Sequence, residues 1–268
     1  MSGEALARVL RWSAWAPGRE ARADWEAWAR APEPLPFEGQ AEARFLPPLL
    51  RRRCTPLTRI VLSAAFGCLP EAERSAVRTV FASRHGSLNE SIDLLESVVR
   101  GERISPAKFS HTVHNAQAGL YCIATGNCRS SISLAARADT FSCGYLEALA
   151  QLEREPSRPV LYVIGDVPLA ATFAGLLREA PSAYALALLL ARDAGAGPVL
   201  SFGHEEPEAV AEHLWPDALE FLRWLLGEER TLALGRFRWT RKEADRRSAC
   251  AQSARRRAAQ RAEGERSS

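Results

Sequence analysis

The sequence predicts an α/β layered domain, and three observations carry that prediction. Strand-length apolar runs alternate with helix-length amphipathic segments along the first 240 residues. The run "RPVLYVIGD" (158–166) has the character of a central strand, and "AYALALLLA" (183–191) follows it as another. Pro and Gly punctuate the joints between these segments.

Taken in order, "ARVLRWSAWAPG" alternates bulky and small residues and stops at Pro17-Gly18, which predicts a first strand and a turn. A Trp/Ala/Arg-rich helix is expected around Arg19 to Arg30, then a Pro-broken loop from Pro32 to Pro48. Thr55 to Leu69 reads as a buried helix, and Ser75 to Ser83, rich in β-branched residues, as a strand. Ser87 and Glu90 have capping-box spacing ahead of a helix whose face carries Leu88, Ile92, Leu95 and Val99. A helix over Ser110 to Thr125 comes next, then a short strand, a turn and a helix in "SISLAARADTFSCGYLEALAQL". After the two central runs, "GPVLSF" is a strand. Pro207 to Leu226 is an amphipathic helix interrupted at Pro216, and "TLALGRFRW" is a terminal strand.

The 268 residues are 47% hydrophobic and 25% charged, an ordinary globular composition. The formal charge of +3 conceals a division. Residues 241–268 carry a surplus of positive charge and no large apolar side chain, so they are expected to form a basic, disordered tail outside a slightly acidic domain spanning 1–240. No nucleic-acid footprint is expected on that domain. No apolar run reaches the length of a membrane span, and "MSGEALARVLRW" lacks the continuous apolar core of a secretory signal. Six scattered cysteines without zinc-ligand spacing point to reduced thiols, no metal site and a cytoplasmic setting. No cofactor is expected, since neither a P-loop, a GxGxxG nor a GxSxG motif occurs.

The chemically suggestive residue is Cys143, near the start of a helix. A helix N-terminus favours thiolate, and Gly144 beside it permits close backbone approach. The bland alternative is a small buried hydrophobe. His111 and His114 have the spacing to serve as bases or ligands, although no third metal ligand lies nearby. Asp139 is placed to cap the following helix.

The order of these features resembles that of β-ketoacyl synthases. Ser105-Pro106, Asn115, Ala118-Gly119, Ile123 and Gly126 fall in the places that lead up to the synthase active-site cysteine. The stretch Asp139-Thr140-Phe141-Ser142-Cys143-Gly144-Tyr145-Leu146-Glu147-Ala148-Leu149 is similar to the elbow of a short synthase-like family built from the N-terminal half of the thiolase-like fold. "PSAYALALLL" and "LRWLL" also match that family, so the resemblance covers residues 8 to 240. It implies a single thiolase-like half and an association with fatty-acid, polyketide or aryl polyene chain elongation.

Two departures from a working synthase shape the functional expectation. Alignment forward from the strand places the nucleophile slot at Ala138, while alignment back from Gly144 or Leu146 gives Phe141 or Ser142. None is cysteine. The synthase C-terminal half, with its two histidines, has no counterpart. The resemblance therefore implies a non-catalytic subunit like a chain-length factor. Its expected partners are a full-length β-ketoacyl-carrier-protein synthase, as a heterodimer, and the acyl carrier protein with its chain. Ser131, Ile132, Ser133, Leu134, Ala135 and Ala136 are expected to pair across the dimer axis. Phe109, Val113, Phe141 and Tyr145, with Ala138, Ser142 and Cys143 at the elbow, are expected to gate the acyl tunnel. The alternative is a stand-alone acyltransferase or reduced condensing enzyme using Cys143 with His111 or His114 as base. The basic tail is a further candidate for carrier-protein contact.

Overall fold

A strand buried on both faces must be apolar at every position rather than at alternate ones, and the two longest apolar runs meet that condition. In the computed structural model, which describes residues 5–170, 173, 182–192, 195–205 and 213–242, β4 (Val160–Asp166) and β5 (Tyr184–Ala191) are buried along their whole lengths. They lie mid-sheet with β1 (Ala5–Trp15), β2 (Arg78–Ala82), β3 (Ser131–Leu134), β6 (Val199–His204), β7 (Thr231–Leu234) and β8 (Phe237–Lys242). The sheet order is β3-β2-β4-β5-β1-β6-β8-β7. β2 runs parallel to β3 and β4, and the other pairings are antiparallel.

Alternation along β4 sends Val160, Tyr162 and Ile164 into one core and Leu161 and Val163 into another. The first core is covered by α1 (Arg22–Arg30), α8 (Thr140–Arg154) and α9 (Asp217–Leu226). The second is covered by α3 (Pro56–Cys68) and α7 (Ala116–Thr125). In α1, Trp25 and Trp28 bury their rings and donate their indole N–H groups to Ala14 O and Glu33 O, at 3.1 and 2.9 Å. Trp239 of β8 approaches Phe141 and Tyr145 of α8 and Phe221 of α9, with ring centroids 5.7, 5.7 and 5.8 Å away. Strands at separate places in one sheet, β4 and β8, therefore both pack against α8.

That helix is seated by a contact only glycine allows. A Cβ on Gly144 would lie 2.6 Å from the Tyr162 ring, and the Tyr162 hydroxyl donates to Phe141 O at 2.8 Å. The close approach is between helix and sheet, not within the turn that the sequence suggested. At the far end of α8, the guanidinium of Arg78 donates to Gln151 O, Glu155 O and Arg158 O, at 2.7, 3.0 and 2.6 Å. Gln151 O and Glu155 O also accept the Glu155 and Arg158 N–H groups, at 3.1 and 3.2 Å, so Arg78 adds a second donor to each.

Several boundaries differ from the sequence reading. Of the helix expected over Ser110 to Thr125, Ala116–Thr125 forms as α7; Ser110 closes a short α6 (Pro106–Ser110), and His111–Asn115 separate the two. Ser87 precedes α5 (Leu88–Val99), but the capping box does not form: the Ser87 hydroxyl accepts from Gln117 Nε2 at 3.3 Å. The apolar stripe of α5 turns outward, with Leu95 63% and Val99 88% exposed. "TLALGRFRW" is a hairpin, because Gly235 adopts φ +55° and reverses the chain between β7 and β8. α9 begins after Pro216, and residues 207–212 of the expected longer helix lie outside the described residues. β8 continues to Lys242, two residues into the range assigned to the tail, and Arg241 pairs with Leu200 of β6. Residues 243–268 lie outside the described residues. Two further short helices, α2 (Pro48–Arg51) and α4 (Glu71–Arg74), flank α3.

Gly144→Ala should destabilise the chain by about 1–3 kcal/mol, since the methyl group meets a buried ring with no room to retreat. Urea unfolding of the variant against the parent measures this.

Candidate functional site

β3 ends at Leu134 and α8 begins at Thr140, so five residues make the turn between them. Arg137 sits at φ +55°, a left-handed conformation costly for a residue with a Cβ. Residues Arg137–Asp139 form a 3₁₀ turn. The Thr140 hydroxyl fastens it, accepting from the Ala136 N–H at 2.9 Å and donating to Arg137 O at 2.7 Å. Asp139 occupies the cap position of α8 without a side-chain capping bond, and its carboxylate lies 3.6 Å from the Arg236 guanidinium in the β7–β8 turn.

Beside the turn is a cavity of about 30 Å³, bordered by Arg84, Arg137, Ala138, Phe141, Asp166 and Tyr184 among others. That volume accommodates on the order of one or two waters, not an acyl chain. Asp166, at the end of β4, is 5% exposed and accepts four hydrogen bonds. Its donors are the Ser83 hydroxyl at 2.7 Å, the Arg84 and His85 main-chain N–H groups at 3.1 and 3.0 Å, and the Tyr184 hydroxyl at 3.2 Å.

The three alignments of the nucleophile slot fall in different environments. Ala138 is in the turn and borders the cavity; Phe141 and Ser142 are inside α8 and buried. Cys143 lies a full turn into the helix and packs partly against the first core. Burial pushes its thiol up from the ordinary range, the Asp139 carboxylate adds to this, and Arg236 opposes it. These surroundings act against the thiolate that the sequence position suggested.

The histidines are not brought to Cys143. His111 ends α6 and shares a cleft of about 380 Å³ with Thr55, Glu90, Asp93 and Lys108, on the α3 side of the sheet. Burial and the Arg53 guanidinium hold its imidazole below the usual range. His114 packs beside Gly86 in front of α7, near Leu57 and Phe81 of the second core. The two do not share one helix, and no group of three or more His, Cys, Asp or Glu among the described residues is placed to hold a metal.

The expected gate divides as well. Phe141 and Tyr145 are fully packed in the first core, against Phe221 and Trp239. Phe109 and Val113 are exposed, at 57% and 40%, on the α6 side. Ser131 to Leu134 form the outermost strand of the sheet, and Ser131, Ile132 and Ala135 are exposed. Asp166, Ser83 and Tyr184 were not singled out from the sequence. The signal was present in "VLYVIGD", since a carboxylate closing an apolar strand must find donors where it is buried.

Because raised thiol pKa means less thiolate, alkylation of Cys143 at about pH 7 should lag behind that of the exposed Cys128 and accelerate as pH rises; intact-mass time courses test this. Phe141→Ala should act chiefly on stability, at about 3–5 kcal/mol in denaturant unfolding, because the ring is packed in the core.

Comparison with known proteins places this geometry. A β-ketoacyl synthase N-terminal domain model matches residues 25–241. A chain of the ketosynthase in complex with its chain length factor from Xenorhabdus doucetiae is 26% identical. It superposes with a TM-score of 0.74, over 88% of this chain and 99% of that one. The ishigamide ketosynthase/chain length factor gives a TM-score of 0.56 at 17% identity, over 76% of this chain and 68% of that chain. A β-ketoacyl synthase from Burkholderia phymatum STM815 gives 0.57 at 11%, over 77% and 65%. These last two show the shared fold. A comparison with curated proteins gave no match. Among the described residues no helix is long and apolar enough to cross a membrane. With a thiolase-like sheet, the strand–turn–helix elbow and a family model spanning most of its length, the chain belongs to the β-ketoacyl synthase N-terminal domain family.

Proposed function

We propose that this protein is a non-catalytic, chain-length-factor-like subunit that pairs with an active β-ketoacyl-carrier-protein synthase and bounds the acyl chain it elongates, in a pigment or polyketide pathway of the aryl polyene type. The observation that carries the proposal is an elbow kept in shape while its apex holds Ala138, with no side chain able to attack an acyl thioester. Similarity over nearly the whole of a chain from a ketosynthase and chain-length-factor complex supports the same reading. The proposed setting is the cytoplasm, with the carrier protein as second partner.

The surfaces fit that role. β3 leaves one edge without a strand among the described residues, and an unpaired edge is a template for a strand from another chain. Every residue from Gly101 to Ser110 is exposed, and with Leu95, Val99 and Phe109 this arm shows apolar side chains that a partner would cover. In this proposal Phe109 and Val113 line the end of the acyl space at the dimer boundary, while Phe141 and Tyr145 hold the fold. A stand-alone enzyme built on Cys143 is opposed by the raised thiol and by histidines lying across the sheet from it.

Incubation of the co-expressed pair with acyl-loaded carrier protein should put the acyl group on the synthase alone, read by intact mass; a Cys143-dependent adduct on this chain would overturn the proposal. Ile132→Asp should abolish co-purification with the synthase while leaving the melting of the lone chain within about 0.5 kcal/mol, the usual range for an exposed substitution. Phe109→Ala in the pair should lengthen the product, measured by chromatography of the released chains. An unchanged distribution would remove Phe109 from the gate.

A further inference from the structure

We infer that Asp166 is a positioning residue: its carboxylate roots the arm formed by α5 and α6, and so sets how the chain presents itself to a partner. This rests on the partner role proposed above. A carboxylate taken out of water is costly unless its oxygens are met by donors. Three of the four donors to Asp166 come from Ser83, Arg84 and His85, the segment that leaves β2 and leads into α5. The Ser83 hydroxyl that donates to Asp166 also accepts from the Gly86 N–H at 2.8 Å, where the chain turns through φ +58°.

The same stretch of β4 and its exit clamps the first turn of α5. Asn89 Nδ2 donates to Pro168 O at 2.9 Å, and Asn89 Oδ1 accepts from the Ala170 N–H at 3.0 Å. Between Ala82 and Asn89, then, the chain is held by residues from β4, α7 and the segment after Asp166. Beyond Asn89 the hold is slighter: α5 buries no residue fully, and all of Gly101–Ser110 is exposed. An arm so lightly packed takes its direction from its root. Asp166 also borders the elbow cavity, so one buried charge ties the elbow and the arm to a common support.

The experiment uses the full chain, alone and with its co-expressed synthase. Asp166→Asn keeps the shape but places an amide among donors. Deuterium uptake should rise in residues 83–99 and stay unchanged in β4 and β5, and affinity for the synthase should fall roughly tenfold or more. Tyr184→Phe, which removes one donor outside the root segment, should have a smaller effect on both. Unchanged affinity, or uptake that rises evenly through the core, would overturn the inference by reducing Asp166 to a general stabiliser. If Asp166→Asn does not fold, Asn89→Ala releases the outer clamp and must reproduce the local uptake and the affinity loss. Failure of the parent chain to bind any synthase would reject the partner role, while the uptake pattern would still decide whether Asp166 roots the arm.

Discussion

The structure depends on the seating of α8 against the sheet. Its elbow end approaches β4 as closely as it does because Gly144 offers no Cβ to the Tyr162 ring, and the Tyr162 hydroxyl fixes the first turn through the Phe141 carbonyl. Its other end is held by one guanidinium from β2 bonded to three carbonyls. Helix and sheet are thereby locked at both ends by polar contacts in otherwise apolar surroundings, where a hydrogen bond left unmade is expensive. The orientation of the elbow follows from this seating.

Given that seating, the elbow keeps its shape through contacts of its own. The turn is maintained by the Thr140 hydroxyl and by the left-handed Arg137, neither of which needs a nucleophile at the apex. The space beside it is nearly filled, and the nearest thiol lies deeper in the helix in surroundings that favour its protonated form. The fold is held by an interior that Trp239 and the β7–β8 hairpin complete from within the chain. The first core is thus well packed by the residues of this chain alone.

Polar groups are concentrated where the chain must be steered. Asp166, at the end of β4, gathers donors from two places, the exit of β2 and the start of β5, and the arm beyond them is sparsely packed. The outward apolar stripe of α5 is the counterpart of that arrangement. Along that stripe Leu88 and Ile92 are half-buried at the root, while Leu95 and Val99 stand exposed.

The sequence by itself determined the layered α/β class, the two central strands and the presence of the elbow, because these depend on local periodicity and on runs apolar enough to be buried on both faces. The resemblance carried the family. It did not determine that Phe141 and Tyr145 share a core with Trp239 while Phe109 stays exposed, since residues 98 positions apart meet only once the sheet is assembled. It left open where α5 turns its stripe: an amphipathic period marks an apolar face without saying whether that face turns to the core or to solvent. The split between α6 and α7, the hairpin at Gly235 and the replacement of the capping box by a bond to Gln117 were decided by packing partners distant in sequence. Asp166 is the clearest instance. In the sequence it is the last residue of a strand, and only the tertiary structure brings it four donors from two other segments.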